Sequence, residues 1–154
     1  MKKINKIFKH KNIVVILLIT MFFVLDRYLK FLAINFKEDF FIIKNVLKFT
    51  FFPNEFISFS IPFSGVVLNI VLIILLILVI IFLIWSLRKK RINDFLASLA
   101  VFFGATSNFI DRIFFSYAID YLDLKFFPVF NLADILIVGG CFYLIYLNFK
   151  ATKR

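Results

Sequence analysis

Residues 66–87 read VVLNIVLIILLILVIIFLIWSL, a run with no charged residue and no proline. A helix needs about 20 mostly apolar residues to cross the hydrocarbon of a bilayer, and this stretch meets that length. Working outward, three more stretches meet it, at 12–34, 95–115 and 129–149. Pro53, Pro62 and Pro128 all fall in the stretches between these runs or at their boundaries. Composition points the same way: the 154 residues are 63% hydrophobic with a mean hydropathy of +1.00, more apolar surface than one soluble core of this size can bury. The expected fold is an all-α membrane protein, four transmembrane helices in a single domain over 1–154. The connection at 35–65 mixes Phe, Ile and Thr with scattered charges, which suits a small extracytoplasmic segment with short β-strands lying against the membrane surface.

The formal net charge is +10. In a soluble protein that would suggest a nucleic-acid partner, but here the basic residues cluster at the chain ends and between apolar runs. One cluster is Lys2, Lys3, Lys6, Lys9 and Lys11; a second is Arg88, Lys89, Lys90 and Arg91; a third is Lys150, Lys153 and Arg154. With four spans, the positive-inside rule requires these three places to be basic. Both termini are therefore expected to face the cytoplasm, with 35–65 and 116–128 outside, and no nucleic acid is expected as a partner. The lysine-rich start also fits a cleavable signal peptide. Asp26, Arg27 and Lys30 follow the apolar run without a small-residue cleavage site, however, so the run is read as a retained helix.

One cysteine, Cys141, leaves no internal disulfide and no Cys-rich metal site. The one histidine, His10, lies in the basic tail, so histidine-based catalysis and zinc chemistry of the His-Glu-x-x-His type are not expected. What remains is a set of polar residues in an apolar chain. A charge at the centre of a spanning helix costs roughly 2.5–3.5 kcal/mol on insertion scales, so such residues generally face a protein interior. Here they gather at one depth: Asp26 and Lys30 near the outer end of the first span, Asn108, Asp111 and Arg112 near that of the third, Asn131 and Asp134 at the outer start of the fourth, and Asp120 in the connection between the last two. Asp26 and Lys30, Asn108 and Asp111, and Asn131 and Asp134 each share a helix face by spacing. A bland reading has them satisfying one another or snorkelling to the headgroups. A sharper one follows from chemistry, because two carboxylates close together in a partly dry site tend to share a proton. One then activates water while the other donates a hydrogen bond to a scissile carbonyl.

At these residues the chain resembles the lipoprotein signal peptidases, or signal peptidase II. Asp26-Arg27-Tyr28-Leu29-Lys30 is similar to the family's Asp-x-x-x-Lys, and Asn54 to Phe59 resembles its Asn-x-Gly-x-Ala/Ser-Phe. GATSNFIDR at 104–112 is similar to Gly-Ala-x-Gly-Asn-x-x-Asp-Arg, Ala118-Ile119-Asp120-Tyr121 to Val-x-Asp-Phe, and Phe130-Asn131-Leu132-Ala133-Asp134 to Phe-Asn-x-Ala-Asp. Phe56, Phe103, Ser107 and Ser116 stand where the family has glycine, which bears on loop geometry more than on catalytic identity.

The resemblance implies an intramembrane aspartic endopeptidase of the bacterial cytoplasmic (inner) membrane, with its active site near the outer face. Its substrate would be a diacylglyceryl-modified prolipoprotein, cut on the N-terminal side of the lipidated cysteine, with no cofactor; a monomer surrounded by membrane lipids is expected. It makes Asp120 and Asp134 the catalytic dyad, with Asp111 the rival for the first place. Asn131 would orient the dyad or substrate, Ala133 would keep room beside Asp134, and Asp26, Lys30, Asn54, Asn108, Asp111 and Arg112 would frame the site. A proton- or ion-coupled transporter, or its subunit, is the alternative from another class. It should place ionisable groups near the midplane, whereas these lie near one face and the second span has none.

Overall fold

The structure, a computed structural model, describes residues 9–36, 38–55 and 65–152. Four helices carry most of the chain: α1 (His10–Asn35), α2 (Gly65–Arg88), α3 (Ile92–Phe115) and α4 (Leu132–Thr152). Three strands, β1 (Phe40–Ile43), β2 (Leu47–Asn54) and β3 (Ala118–Leu124), form one antiparallel sheet in the order β1-β2-β3. Among the described residues α1, α2 and α4 are long and apolar enough to cross a membrane. α3 is as long as α2, but Asp94, Asn108, Asp111 and Arg112 lower its apolar character.

α3 occupies the middle of the helical layer and packs against α1, α2 and α4. Close approach to α4 depends on two glycines: a Cβ on Gly104 would run into the Ala133 carbonyl and the Ile137 side chain, and one on Gly140 would lie 2.7 Å from both the Ala97 carbonyl oxygen and Val101. Small residues at a helix crossing allow backbones to pack where lipid gives no hydrophobic drive.

The sheet sits on the end of this bundle where α1 and α3 finish and α4 begins. Phe49, Ile119 and Tyr121 pack with Ala33 of α1 into a small buried core, against which Leu29, Leu32 and Leu132 also lie. Pairing of β2 with β3 slips between Phe49 and Phe52, so that Phe52 faces Asp120 and Asn54 faces Ala118. Such irregularities bend a strand and re-aim its side chains, and here the one in β2 brings Asn54 to Asp120.

The expected strands in 35–65 are present as β1 and β2. A third strand comes from the connection between α3 and α4, and it is buried along Ala118–Tyr121. α4 requires a correction: it begins at Leu132, not at 129. Phe130 is held in extended pairing with Leu122, its N–H and carbonyl bonding across at 3.0 and 2.8 Å, and Asn131 then caps the helix. Of the glycine replacements, Phe103 packs edge-on to Phe23 and Ser107 is wholly buried. Ser116 ends α3 in the left-handed region at φ 69°, a conformation that costs an L-residue roughly 1–2 kcal/mol and that glycine would adopt freely. Phe56, and with it Pro62, lies outside the described residues.

Candidate active site

Asp134 is placed by the way α4 starts. The Asn131 side-chain oxygen accepts the Asp134 N–H at 2.9 Å, and the Asp134 carboxylate accepts the Asn131 N–H at 3.2 Å. This is a reciprocal capping box built from Asn and Asp, satisfying two of the donors that every helix start leaves over. The second Asp134 oxygen accepts from the Asn108 amide at 2.8 Å.

Asp120 reaches the same place from β3, which is buried at this point. Asn54 donates to one of its oxygens at 2.8 Å and Asn131 to the other at 2.6 Å. Burial, and next the negative charge of Asp134, push the Asp120 carboxyl up to about 7, against the hydrogen bonds from Asn54 and Asn131 that pull it down. Both carboxylates line one cavity of about 750 Å³, whose walls are mostly apolar and include Phe52, Leu124, Phe127, Phe130, Ile135 and Val138.

Behind the cavity lies a buried ionic cluster. Lys30 contacts Asp111 at 2.7 Å, Asp26 at 3.1 Å and the Asn108 side-chain oxygen at 2.8 Å. Asp111 is also paired with Arg27 and accepts the Ile119 N–H at 3.2 Å. Asp26 accepts from the Tyr121 hydroxyl at 2.9 Å, the Ala133 N–H at 3.1 Å and the Ser107 hydroxyl at 2.5 Å. Tyr121 takes the Leu132 N–H at 3.1 Å, and burial together with Asp26 keeps its phenol protonated. Buried charges survive only when paired and hydrogen-bonded, and Asp26, Lys30 and Asp111 meet that condition, with the partly exposed Arg27 as a further partner of Asp111. Arg112 donates to the Asn108 carbonyl at 3.2 Å from the end of α3.

The ten residues singled out from sequence therefore join one network: Asn108 and Asn131, 3.0 Å apart, link the cluster to the dyad, and the Ala133 N–H ties α4 to Asp26. Three members were missed. Tyr121 and Arg27 each follow a motif acid directly, and adjacency to Asp120 and Asp26 was the available signal. Ser107 gave none, because a serine in a glycine's place reads as a loss rather than as a hydroxyl bridging Asp26 and Lys30.

A model of the signal peptidase (SPase) II family matches residues 18–150. The chain belongs to that family. Among its relatives, the lipoprotein signal peptidase of Caldicellulosiruptor bescii is 35% identical over 140 residues, 83% of this chain and 85% of that protein. That of Clostridium novyi is 33% identical over 149 residues, 90% of this chain and 99% of the relative. A bacterial membrane enzyme solved in meso at 2.3 Å resolution matches with a TM-score of 0.77 and 26% identity, covering 90% of this chain and 89% of that one. Membership makes the chain a membrane peptidase of the aspartic class and removes the reading as a transporter.

Proposed function

We propose that Asp120 and Asp134 are the catalytic dyad of an intramembrane endopeptidase that cleaves diacylglyceryl-modified prolipoproteins on the N-terminal side of the lipidated cysteine. Removal of the signal peptide from a prolipoprotein is the family's reaction; the dyad assignment is carried by one observation. Asp120 and Asp134 line the same cavity, whereas Asp111 is held by Lys30, Arg27 and the Ile119 N–H and does not line it.

In this mechanism one carboxylate of the pair is ionised and the other holds the shared proton. The ionised group takes a proton from water as the water oxygen attacks the scissile carbonyl carbon. The protonated group donates its hydrogen bond to the carbonyl oxygen, which gains the negative charge. Collapse of the tetrahedral intermediate breaks the C–N bond, and a dyad proton passes to the departing amine of the lipidated cysteine. Asn54, Asn131 and Asn108 orient the carboxylates. The apolar cavity walls fit acyl chains and an apolar signal segment arriving from within the bilayer. Among the described residues no group of three His, Cys, Asp or Glu could hold a metal ion.

The arrangement of the membrane segments belongs to the same proposal. α3 also spans the membrane, making four transmembrane helices, its charges shielded by α1, β3 and α4. The starts of α1 and α3 and the end of α4 face the cytoplasm, and the sheet and dyad lie at the outer face. One domain, acting as a monomer, supplies every residue of the network.

Cleavage of a lipidated precursor by the purified chain in detergent tests the function. Activity that survives chelators and Cys141→Ala supports the dyad; loss to a chelator, restored by one particular metal, removes it. Cysteine reporters at Asn54 and Lys125 should label from outside and one at Lys90 should not. Strong outside labelling at position 90 overturns the topology.

A further inference from the structure

At the end of the bundle opposite the dyad, a cleft of about 450 Å³ is lined by Lys9, Lys11, Lys90, Arg91 and Lys150, with Asp94 the one acidic group among the described residues of its wall. Asp94 is already held by Arg91 at 2.6 and 3.0 Å. The remaining lysines are exposed. Two helices begin in this wall, α1 at His10 and α3 at Ile92, and neither Lys9 nor Arg91 offers a side-chain cap. Their first N–H groups and helix dipoles add to the positive field.

The cleft does not end as a surface patch. Lys11, Asn12 and Asn93 line it and also line a second space of about 430 Å³ between α1, α3 and α4. The walls of that second space are mainly apolar, including Val15, Ile19, Leu96, Ala100 and Tyr143. From Lys11 to Ile19 it follows α1 for ~12 Å, at 1.5 Å of rise per residue. A strongly cationic mouth opening into an apolar crevice is complementary to one kind of molecule, an anion carrying a hydrocarbon chain.

We infer that this composite cavity is a binding site for an anionic glycerophospholipid, its phosphate among the lysines and the two helix starts, and one acyl chain along the α1–α3–α4 crevice. Its cationic mouth lies far from the peptidase site, although the inner end of the crevice reaches Gly139, which also lines the peptidase cavity. Some ~24 Å of helix, at 1.5 Å per residue, lie between Asp134 and Lys150.

The test is native mass spectrometry of the full chain in detergent, offered equal amounts of phosphatidylglycerol and phosphatidylcholine with matched acyl chains. The intact protein should retain phosphatidylglycerol at least about tenfold better, as expected where several cations each favour an anionic headgroup. Lys11→Gln with Lys150→Gln should bring the ratio close to one. Arg88→Gln with Lys89→Gln removes the same charge at the same end but outside the cavity, and should leave the ratio unchanged. Equal loss in the two double variants would mean diffuse attraction and would overturn the site. Ala100→Trp, which fills the crevice and keeps every cation, should also lower phosphatidylglycerol retention. If it has no effect, or if millimolar inorganic phosphate alone displaces the lipid fully, the cleft is a phosphate site and the lipid assignment fails. All these variants should keep single-turnover cleavage, which checks that they fold.

Discussion

α2 and α3 are consecutive in the chain and both run for 24 residues, yet they are built for different surroundings. α2 buries Leu68, Leu83 and Ser86 and leaves Val66, Ile70, Ile74, Ile77, Leu78 and Ile81 half-exposed or more, so its apolar side chains face outward on nearly every side. α3 buries Asp94, Ser98, Ser107, Asn108, Asp111 and Arg112 among smaller apolar residues. A helix that is hydrophobic all round needs lipid or a large core as its partner. A helix with charges turned inward needs protein that answers each of them. α2 is consequently a wall, while α3 is the frame on which α1, β3 and α4 assemble the site. The most apolar run identifies the membrane and says little about chemistry; the chemistry is carried by the helix that looks least like a span.

The sharpest way to break this contrast is to unbalance the ionic cluster behind α3. Lys30→Met leaves Asp26 and Asp111 facing each other with one cation fewer. Removing one partner of a buried pair costs about 3–5 kcal/mol, so the variant should unfold far below the parent temperature in the same detergent. A drop too small to resolve would show that water reaches the cluster.

A second effect has the opposite sign. Because Asp120 titrates near 7 in the folded chain against an ordinary value of 3.8, the folded state holds its proton more tightly than the unfolded state does. Stability is then favoured at low pH and declines as pH rises from about 4 to about 7. Asp120→Asn should remove that decline and be roughly 1–4 kcal/mol more stable than the parent at pH 8, as judged from thermal unfolding at both pH values. Identical pH dependence in parent and variant would mean that Asp120 is not the group responsible.

The smallest change belongs to α2. Ile77→Ala, on a half-exposed lipid-facing position, should alter stability by no more than about 0.5 kcal/mol. A loss several times larger would mean that α2 packs against something other than lipid.

How much of this was legible in the sequence follows the same division. α1 and α2 were read to within two residues at each end, because length and apolarity decide them. The start of α4 was misread by three residues, since Val129 and Phe130 are apolar enough to extend a helix, but Phe130 is taken by strand pairing and Asn131 by the cap. β3 escaped notice because its first four residues are all buried, so the in-out alternation that betrays a half-buried strand is missing. The motif acids were legible because carboxylates do not belong in an apolar chain. Tyr121 was not, since a buried tyrosine reads as packing until its hydroxyl is seen on Asp26.

The central claim is that Asp120 and Asp134, not Asp111, perform the chemistry. Single-turnover cleavage of a lipidated precursor by Asp120→Asn, Asp134→Asn and Asp111→Asn, each first checked for folding in detergent, tests it most directly. Removing one member of a catalytic unit costs about as much as removing all of it. Asp120→Asn and Asp134→Asn should therefore both fall by about 10³-fold or more while still binding substrate, and the double variant should be little worse. Asp111→Asn should lose thermal stability together with rate, because it takes a charge from Lys30 and Arg27. A well-folded Asp111→Asn with no cleavage, beside an Asp120→Asn that cleaves at nearly the parent rate, would contradict the account and move the dyad to Asp111 and Asp134.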